Sequence, residues 1–192
     1  MTLSPETAAK FALRAGTRLS ESRIREILDA DARHDALSSS IRLLSRRPRS
    51  EREIRDYLRK RGIPSSITQE TVFRLKELGL LDDNAFALSW VDSHDRTSPR
   101  SRRMLAAELR ARGVERTTAA GAVSAVNDED AACRAASRRA RNLTGLDFPV
   151  FRRRIVEFLL RRGFNLETAE GAARRVWLQM TGVGTDQEHD TG

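Results

Sequence analysis

A chain of 192 residues with only 7 Phe, 2 Trp and 1 Tyr lacks the bulk for one wide core and suits small helical units that bury aliphatic stripes against one another. Its single cysteine, Cys133, excludes an intrachain disulfide framework and fits a reducing compartment, while no apolar run approaching ~18 residues and no apolar N-terminal segment argues for a membrane span or secretory signal. The formal charge of +8, from 35 basic and 27 acidic residues, favours a polyanionic partner, and a cytoplasmic location is expected.

Residues 1 to about 18 are weakly patterned, consistent with a short strand or loose chain. From Ser20, a plausible N-cap, a helical pattern runs through Ile24, Ile27 and Leu28; a second helix carries Leu37, Ile41, Leu43 and Leu44 and stops before Pro48. Ser50-Glu51-Arg52-Glu53 is a capping box that opens a helix over 51–61, and after Pro64 another runs over 67–78 to Gly79. Asp82 caps a helix holding Phe86, Trp90 and Val91, closed by Thr97-Ser98-Pro99. Further helices are predicted over 101–112, 117–127, 129–142, 148–162 and 166–180, and the polar segment 182–192 is expected to be disordered.

One phrase recurs three times in this series. Tyr57-Leu58-Arg59-Lys60-Arg61-Gly62-Ile63, Glu108-Leu109-Arg110-Ala111-Arg112-Gly113-Val114 and Phe158-Leu159-Leu160-Arg161-Arg162-Gly163-Phe164 align on their glycines. Apolar columns extend the match to Ile54, Leu105 and Ile155 before the glycine and to Val72, Val123 and Ala173 after it, so the phrase belongs to a longer internal repeat. An apolar-faced helix closed by Gly and an apolar residue is a left-handed C-cap. The fold class expected is all-α: three tandem three-helix repeats in an elongated, curved array with a short N-terminal extension. The boundaries expected are 1–35 for the extension, 36–81, 82–127 and 128–181 for the repeats, and 182–192 for the tail.

The residues that carry chemistry are sparse. His34, His94 and His189 stand alone, and Cys133 lies among alanines with no neighbouring Cys or His, so neither a metal site nor a catalytic thiol is spelled out. Phosphate-binding glycine motifs and a nucleophile elbow are missing. Asp82-Asp83 is a paired carboxylate, but helix capping and the dipole explain it without a catalytic third group. No enzymatic activity and no cofactor are expected.

Arginine is the remaining signal. Only Lys10, Lys60 and Lys76 are lysine, so 32 of the 35 bases are arginine; a phosphate- or carboxylate-facing surface explains the excess, and so does codon bias in a high-GC genome. Arg61, Arg112 and Arg162 sit in last helical turns, where the helix dipole alone favours a cation. Arg52, Arg55 and Arg59 line a helix face opposite Ile54 and Leu58, and Arg152-Arg153-Arg154 exceeds what a cap needs. The candidate partner or DNA surface comprises Arg47, Arg52, Arg55, Arg59, Arg103, Arg110, Arg152 and Arg153.

Over about residues 36–178 the chain resembles the regulatory protein RecX family, bacterial modulators of the RecA recombinase. The resemblance rests on four motifs in order: Ile41-Arg42-Leu43-Leu44-Ser45-Arg46-Arg47 followed by Arg49-Ser50-Glu51-Arg52-Glu53-Ile54; Gly79-Leu80-Leu81-Asp82-Asp83-Asn84-Ala85-Phe86-Ala87; and the second and third phrases. It implies tandem three-helix repeats and a protein that binds the RecA filament on single-stranded DNA. It further implies that the protein destabilises the filament or blocks its growth, restraining ATP hydrolysis, strand exchange and co-protease activity in recombination, DNA repair and the SOS response. A monomer without a cofactor or membrane contact follows from the same resemblance, with single-stranded DNA inside the filament as a further contact.

The chain departs from the family pattern between Trp90 and Leu105. Pro99 and Ser101 stand where a glycine is expected, and Met104 and Ala106 where many relatives carry Arg, which implies a weakened or shifted contact in the middle repeat. Two other classes fit the composition. A direct DNA-binding regulator would send a phrase helix into a groove, but base-reading side chains at an exposed helix start are not evident. A helical scaffold for another acidic protein is the third.

Overall fold

The computed structural model describes residues 3–14 and 16–182, and the tail from residue 183 with its His189 lies outside them. All regular structure among the described residues is helical, in the order α1 (Pro5–Lys10), α2 (Glu21–Leu44), α3 (Glu51–Lys60), α4 (Ser65–Glu77), α5 (Asp83–Thr97), α6 (Arg102–Ala111), α7 (Arg116–Val123), α8 (Asp128–Ala140), α9 (Phe148–Leu160) and α10 (Leu166–Thr181). The phrase helices are α3, α6 and α9.

Three predicted elements change. The N-terminal segment holds α1, capped by Ser4 Oγ accepting from Thr7 N at 3.2 Å, and Ser4 N donates to Asp31 Oδ1 at 2.9 Å to tie it to α2. Six residues are too few for a helical period to declare itself in sequence. The two helices expected before Pro48 are one, α2, because nothing between Leu28 and Leu37 is Gly or Pro. Its buried Ser40 stays compatible with a helix by donating Oγ to Ala36 O at 2.7 Å. Helix α7 stops at Val123, short of 127, since Asn127 is taken as the cap of α8, accepting from Glu129 N and Asp130 N at 2.9 and 3.2 Å.

The caps follow the sequence elsewhere. Glu53 N donates to Ser50 Oγ at 3.2 Å while Ser50 N donates to Glu53 Oε2 at 3.3 Å, closing the capping box. The phrase glycines Gly62, Gly113 and Gly163 have φ of 76°, 86° and 85°. After the first and third, Ile63 N returns to Leu58 O at 3.1 Å and Phe164 N to Leu159 O at 3.3 Å, the six-to-one bond of a Schellman stop.

The chain divides into two compact units. Among the described residues, the first comprises those up to 86 with 112–114, and the second 87–111 with 115–182. In the first, Ala36 of α2, Ile54 and Leu58 of α3, and Ile67, Val72 and Leu75 of α4 share a core with Leu81. In the second, α8 and α10 meet across alanines, among them Ala132, Ala136, Ala169 and Ala173, and small side chains at a helix crossing let the axes approach closely. Phe151, Ile155, Leu159 and Phe164 fill the α9 side, with the Trp177 ring 5.1 Å from that of Phe151.

Candidate partner-binding surface

A junction built the same way occurs once in each unit and sets where the arginines stand. In the first unit, Ser50 caps α3 and donates its Oγ to Arg112 O at 2.6 Å, and Glu51 N donates to Asp83 Oδ1 at 2.8 Å. In the second, Ser101 caps α6, Ser101 N donates to Arg162 O at 3.1 Å, and Arg102 N donates to Asp128 Oδ1 at 2.7 Å. The N-cap serine and the first helical amide of one phrase helix are thus met by an acid and an arginine carbonyl from the following repeat, so orphan donors of the helix start join neighbouring repeats.

The glycine after that arginine completes each junction. A methyl on Gly113 would lie 2.5 Å from Arg52 Cβ, and one on Gly163 would lie 2.6 Å from Ser101 Oγ and 2.7 Å from Met104 Cβ, whereas the space at Gly62 is open. Gly113 and Gly163 are therefore required twice over, for the left-handed turn and for close approach. Pro99 and Ser101, the departures from the family pattern, are both buried at this junction.

The Asp82-Asp83 pair is likewise structural. Asp82 Oδ1 accepts from Asn84 N and Ala85 N at 2.7 and 3.2 Å, capping α5, and Asp83 serves the junction. Burial, with Glu51 and Asp82 nearby, raises the Asp83 carboxyl above its usual range despite the Glu51 amide.

The four first-unit arginines singled out in sequence are held by carboxylates on or beside their own helix, whereas Arg42 and Arg46 are exposed without such a partner among the described residues. Arg55 Nε lies 2.7 Å from Glu51 Oε1, Arg59 2.7 Å from Asp56 Oδ1, Arg52 3.9 Å from Asp56 Oδ2, and Arg47 3.2 Å from Glu53 Oε1. Lys76 Nζ adds a second cation to Glu51 at 2.5 Å. Burial pushes the Glu51 carboxyl up, but Lys76 and Arg55 together outweigh it and hold it below its usual value. Arg61, expected to answer only to the helix dipole, reaches Asp35 Oδ2 at 2.8 Å.

The second unit differs. Arg103 and Arg110 of α6, Arg153 of α9 and Arg161 just beyond it are exposed, and their guanidiniums have no ion-pair or hydrogen-bond partner among the described residues. Glu108, the acid of α6, pairs with Arg100 and accepts from Trp90 Nε1 at 3.3 Å, so it is unavailable to Arg103 or Arg110. Arg152 is bound by both oxygens of Glu170, at 2.6 and 2.5 Å. Arg162 turns inward, donating to Ser98 Oγ at 2.6 Å and lying 4.4 Å from the Phe158 ring centroid. Burial, then Arg100 and Arg138, lower the pKa of its guanidinium from the ordinary value.

Of the eight arginines singled out in sequence, the structure gathers Arg103 and Arg110 in one groove, leaves Arg153 exposed on α9, and engages Arg47, Arg52, Arg55, Arg59 and Arg152 with carboxylates. Arg161, absent from that set, lines the groove with Arg103, Met104, Ala107, Arg110 and Leu160. The signal for it was present: where two arginines precede a phrase glycine, one alone is needed at the junction. Among the described residues no cluster of His, Cys, Asp or Glu could hold a metal ion, and no helix is long and apolar enough to cross a membrane.

Comparison with known proteins places these features in a family. RecX, first three-helix domain, matches residues 36–75; RecX, second three-helix domain, residues 82–123; and RecX, third three-helix domain, residues 127–177. The chain is 38% identical to the regulatory protein RecX of Streptomyces lividans over 163 residues, 83% of this chain and 85% of that protein. It is 30% identical to that of Bacillus licheniformis over 190 residues, 97% of this chain and 69% of that one. A crystal structure of regulatory protein RecX shares the fold with a TM-score of 0.65 at 24% identity, covering 90% of this chain and 86% of that one. That of RecX from Lactobacillus salivarius also gives 0.65, at 22% identity, over 78% of this chain and 99% of that one.

Proposed function

The chain belongs to the RecX family of regulatory proteins, and from that premise we propose that it binds the RecA recombinase filament on single-stranded DNA and restrains it. It acts in the cytoplasm as a monomer that works by binding, without catalysis or a cofactor, and lowers filament ATP hydrolysis, strand exchange and co-protease activity. The repeats that do this correspond to residues 36–81, 82–127 and 128–181. The observation that carries this reading is the set of exposed, uncommitted arginines Arg103, Arg110, Arg153 and Arg161 in a family of regulators. Several weak contacts from such a surface, held in register by tandem repeats, add by avidity and need no deep pocket.

Titration of the purified chain into RecA-catalysed ATP hydrolysis on single-stranded DNA tests it. The expected result is inhibition at or below one chain per RecA; unchanged hydrolysis at that ratio removes the proposal. A phrase helix reading duplex DNA is less well supported, because Arg52 and Arg55 at the start of α3 are engaged by Asp56 and Glu51.

A further inference from the structure

The groove on the second unit has a chemistry that discriminates between kinds of polyanion. Arg103, Ala107 and Arg110 follow one another along one face of α6, and the two guanidinium-bearing positions are separated by two helical turns, about 10 Å. Leu160 and Arg161 face them from the end of α9, and Met104 forms part of the floor. Leu160 is 44% exposed, an apolar side chain set between cations that have no carboxylate of their own.

A nucleic acid would use only half of this. Single strands gain much of their affinity by stacking bases on aromatic rings, and the groove lining contains none. The ring of Phe158, which lines a neighbouring pocket with Met104 and Arg161, is already covered by Arg162. A phosphate backbone would satisfy the arginines and leave Leu160 and Met104 without a partner. A helical protein segment with carboxylates seven residues, about 10 Å, apart and an apolar side chain between them on the same face satisfies both.

We propose that the α6–α9 groove is a docking site for an acidic, leucine- or phenylalanine-bearing segment of a partner protein, with Arg103, Arg110 and Arg161 binding its carboxylates and Leu160 and Met104 its apolar side chain. This rests on the regulator reading in taking the occupant to be protein, and it places the protein contact, as distinct from any DNA contact, on the second unit.

The test uses the full chain and three fluorescein-labelled probes read by anisotropy at physiological salt: a helical peptide with Glu at positions i and i+7 and Leu at i+4, the same peptide with Gln for Glu, and an oligothymidine. The acidic peptide is expected to bind and the Gln peptide not. Arg103→Gln with Arg110→Gln weakens the acidic peptide about tenfold or more, and Leu160→Ser about fivefold, the loss of one partly buried apolar contact, with oligothymidine binding unaffected by Leu160→Ser. All three substituted positions are exposed, and circular dichroism checks that the variants keep their helices.

No binding of the acidic peptide, or binding that Leu160→Ser leaves unchanged, overturns the proposal. So does a Leu160→Ser chain that still binds peptide and oligothymidine in the wild-type ratio. The ATPase titration reports separately. Inhibition without peptide binding sinks the groove assignment alone, whereas peptide binding without inhibition upholds it and removes the filament as partner.

Discussion

The first and third copies of the repeated phrase end two helices in the same way and meet different surroundings. Beyond α3, Gly62 turns into open space, and the arginines of that helix are drawn onto Glu51 and Asp56. Beyond α9, Gly163 is pressed against Ser101 and Met104, Arg162 is folded into the junction, and Arg161 is left outward with Arg103 and Arg110. A basic sequence is therefore not in itself a basic surface: Glu51 and Asp56 reach Arg55 and Arg59 at spacings of four and three on α3, whereas Arg153 and Arg161 stay unpaired although Glu157 lies four residues from each.

The largest expected effect separates the two glycines. Gly163→Ala combines an unfavourable left-handed φ with overpacking and should lower unfolding free energy by about 3 kcal/mol, against about 1 kcal/mol for Gly62→Ala, which carries only the φ penalty. Urea unfolding measures both, and equal losses would mean that the two stops are equivalent.

Next comes the charge. Neutralising Arg103, Arg110 and Arg161 together to Gln should raise the concentration for half-inhibition of RecA ATP hydrolysis by about 30- to 140-fold, at roughly 0.7–1 kcal/mol for each exposed ion pair lost. The same change at Arg52, Arg55 and Arg59 should alter it less than about threefold. If the α3 set weakens inhibition as much, the distinction between engaged and uncommitted arginines is broken.

The arginines preceding the glycines sharpen the contrast. Arg162→Ala removes a partly buried cation with two oxygen partners, Ser98 Oγ and Pro99 O, and should cost about 2 kcal/mol of stability; Arg61→Ala loses an exposed pair with Asp35 and a contact with Tyr57, about 1 kcal/mol or less. The smallest effect is in pH. Because the Glu51 carboxyl is held below its ordinary value, its contribution is present above the unfolded pKa and fades as pH falls through the lower folded one. Glu51→Gln should flatten the acid limb of thermal stability below about pH 4.5, by less than about 1 kcal/mol.

Much of the fold was legible because it is written in local rules. Ser50 with Glu53, Asp82 before α5 and glycine after each phrase helix all act within five residues, where sequence spacing and spatial proximity coincide. Helix α1 and the continuity of α2 were not, since a six-residue helix has no period and the polar stretch 29–36, lying between two apolar runs, reads as a break although it holds no Gly or Pro. The site was legible only in part. Arg103, Arg110 and Arg153 were named for their charge, but nothing local distinguished them from Arg47 or Arg152, whose partners Glu53 and Glu170 lie 6 and 18 residues away.

By itself the sequence determined the all-helical character, the threefold repetition, the left-handed stops and the family, each of which depends on residue type at short spacing. Tertiary structure alone decided that Ser50 and Ser101 would take carbonyls 62 and 61 residues further on, that Gly113 and Gly163 would serve close packing as well as a turn, and which arginines would remain uncommitted. The physical reason is that a guanidinium pairs with whatever carboxylate the packed helices bring within about 4 Å, and that distance is set by the junctions between repeats rather than by order along the chain.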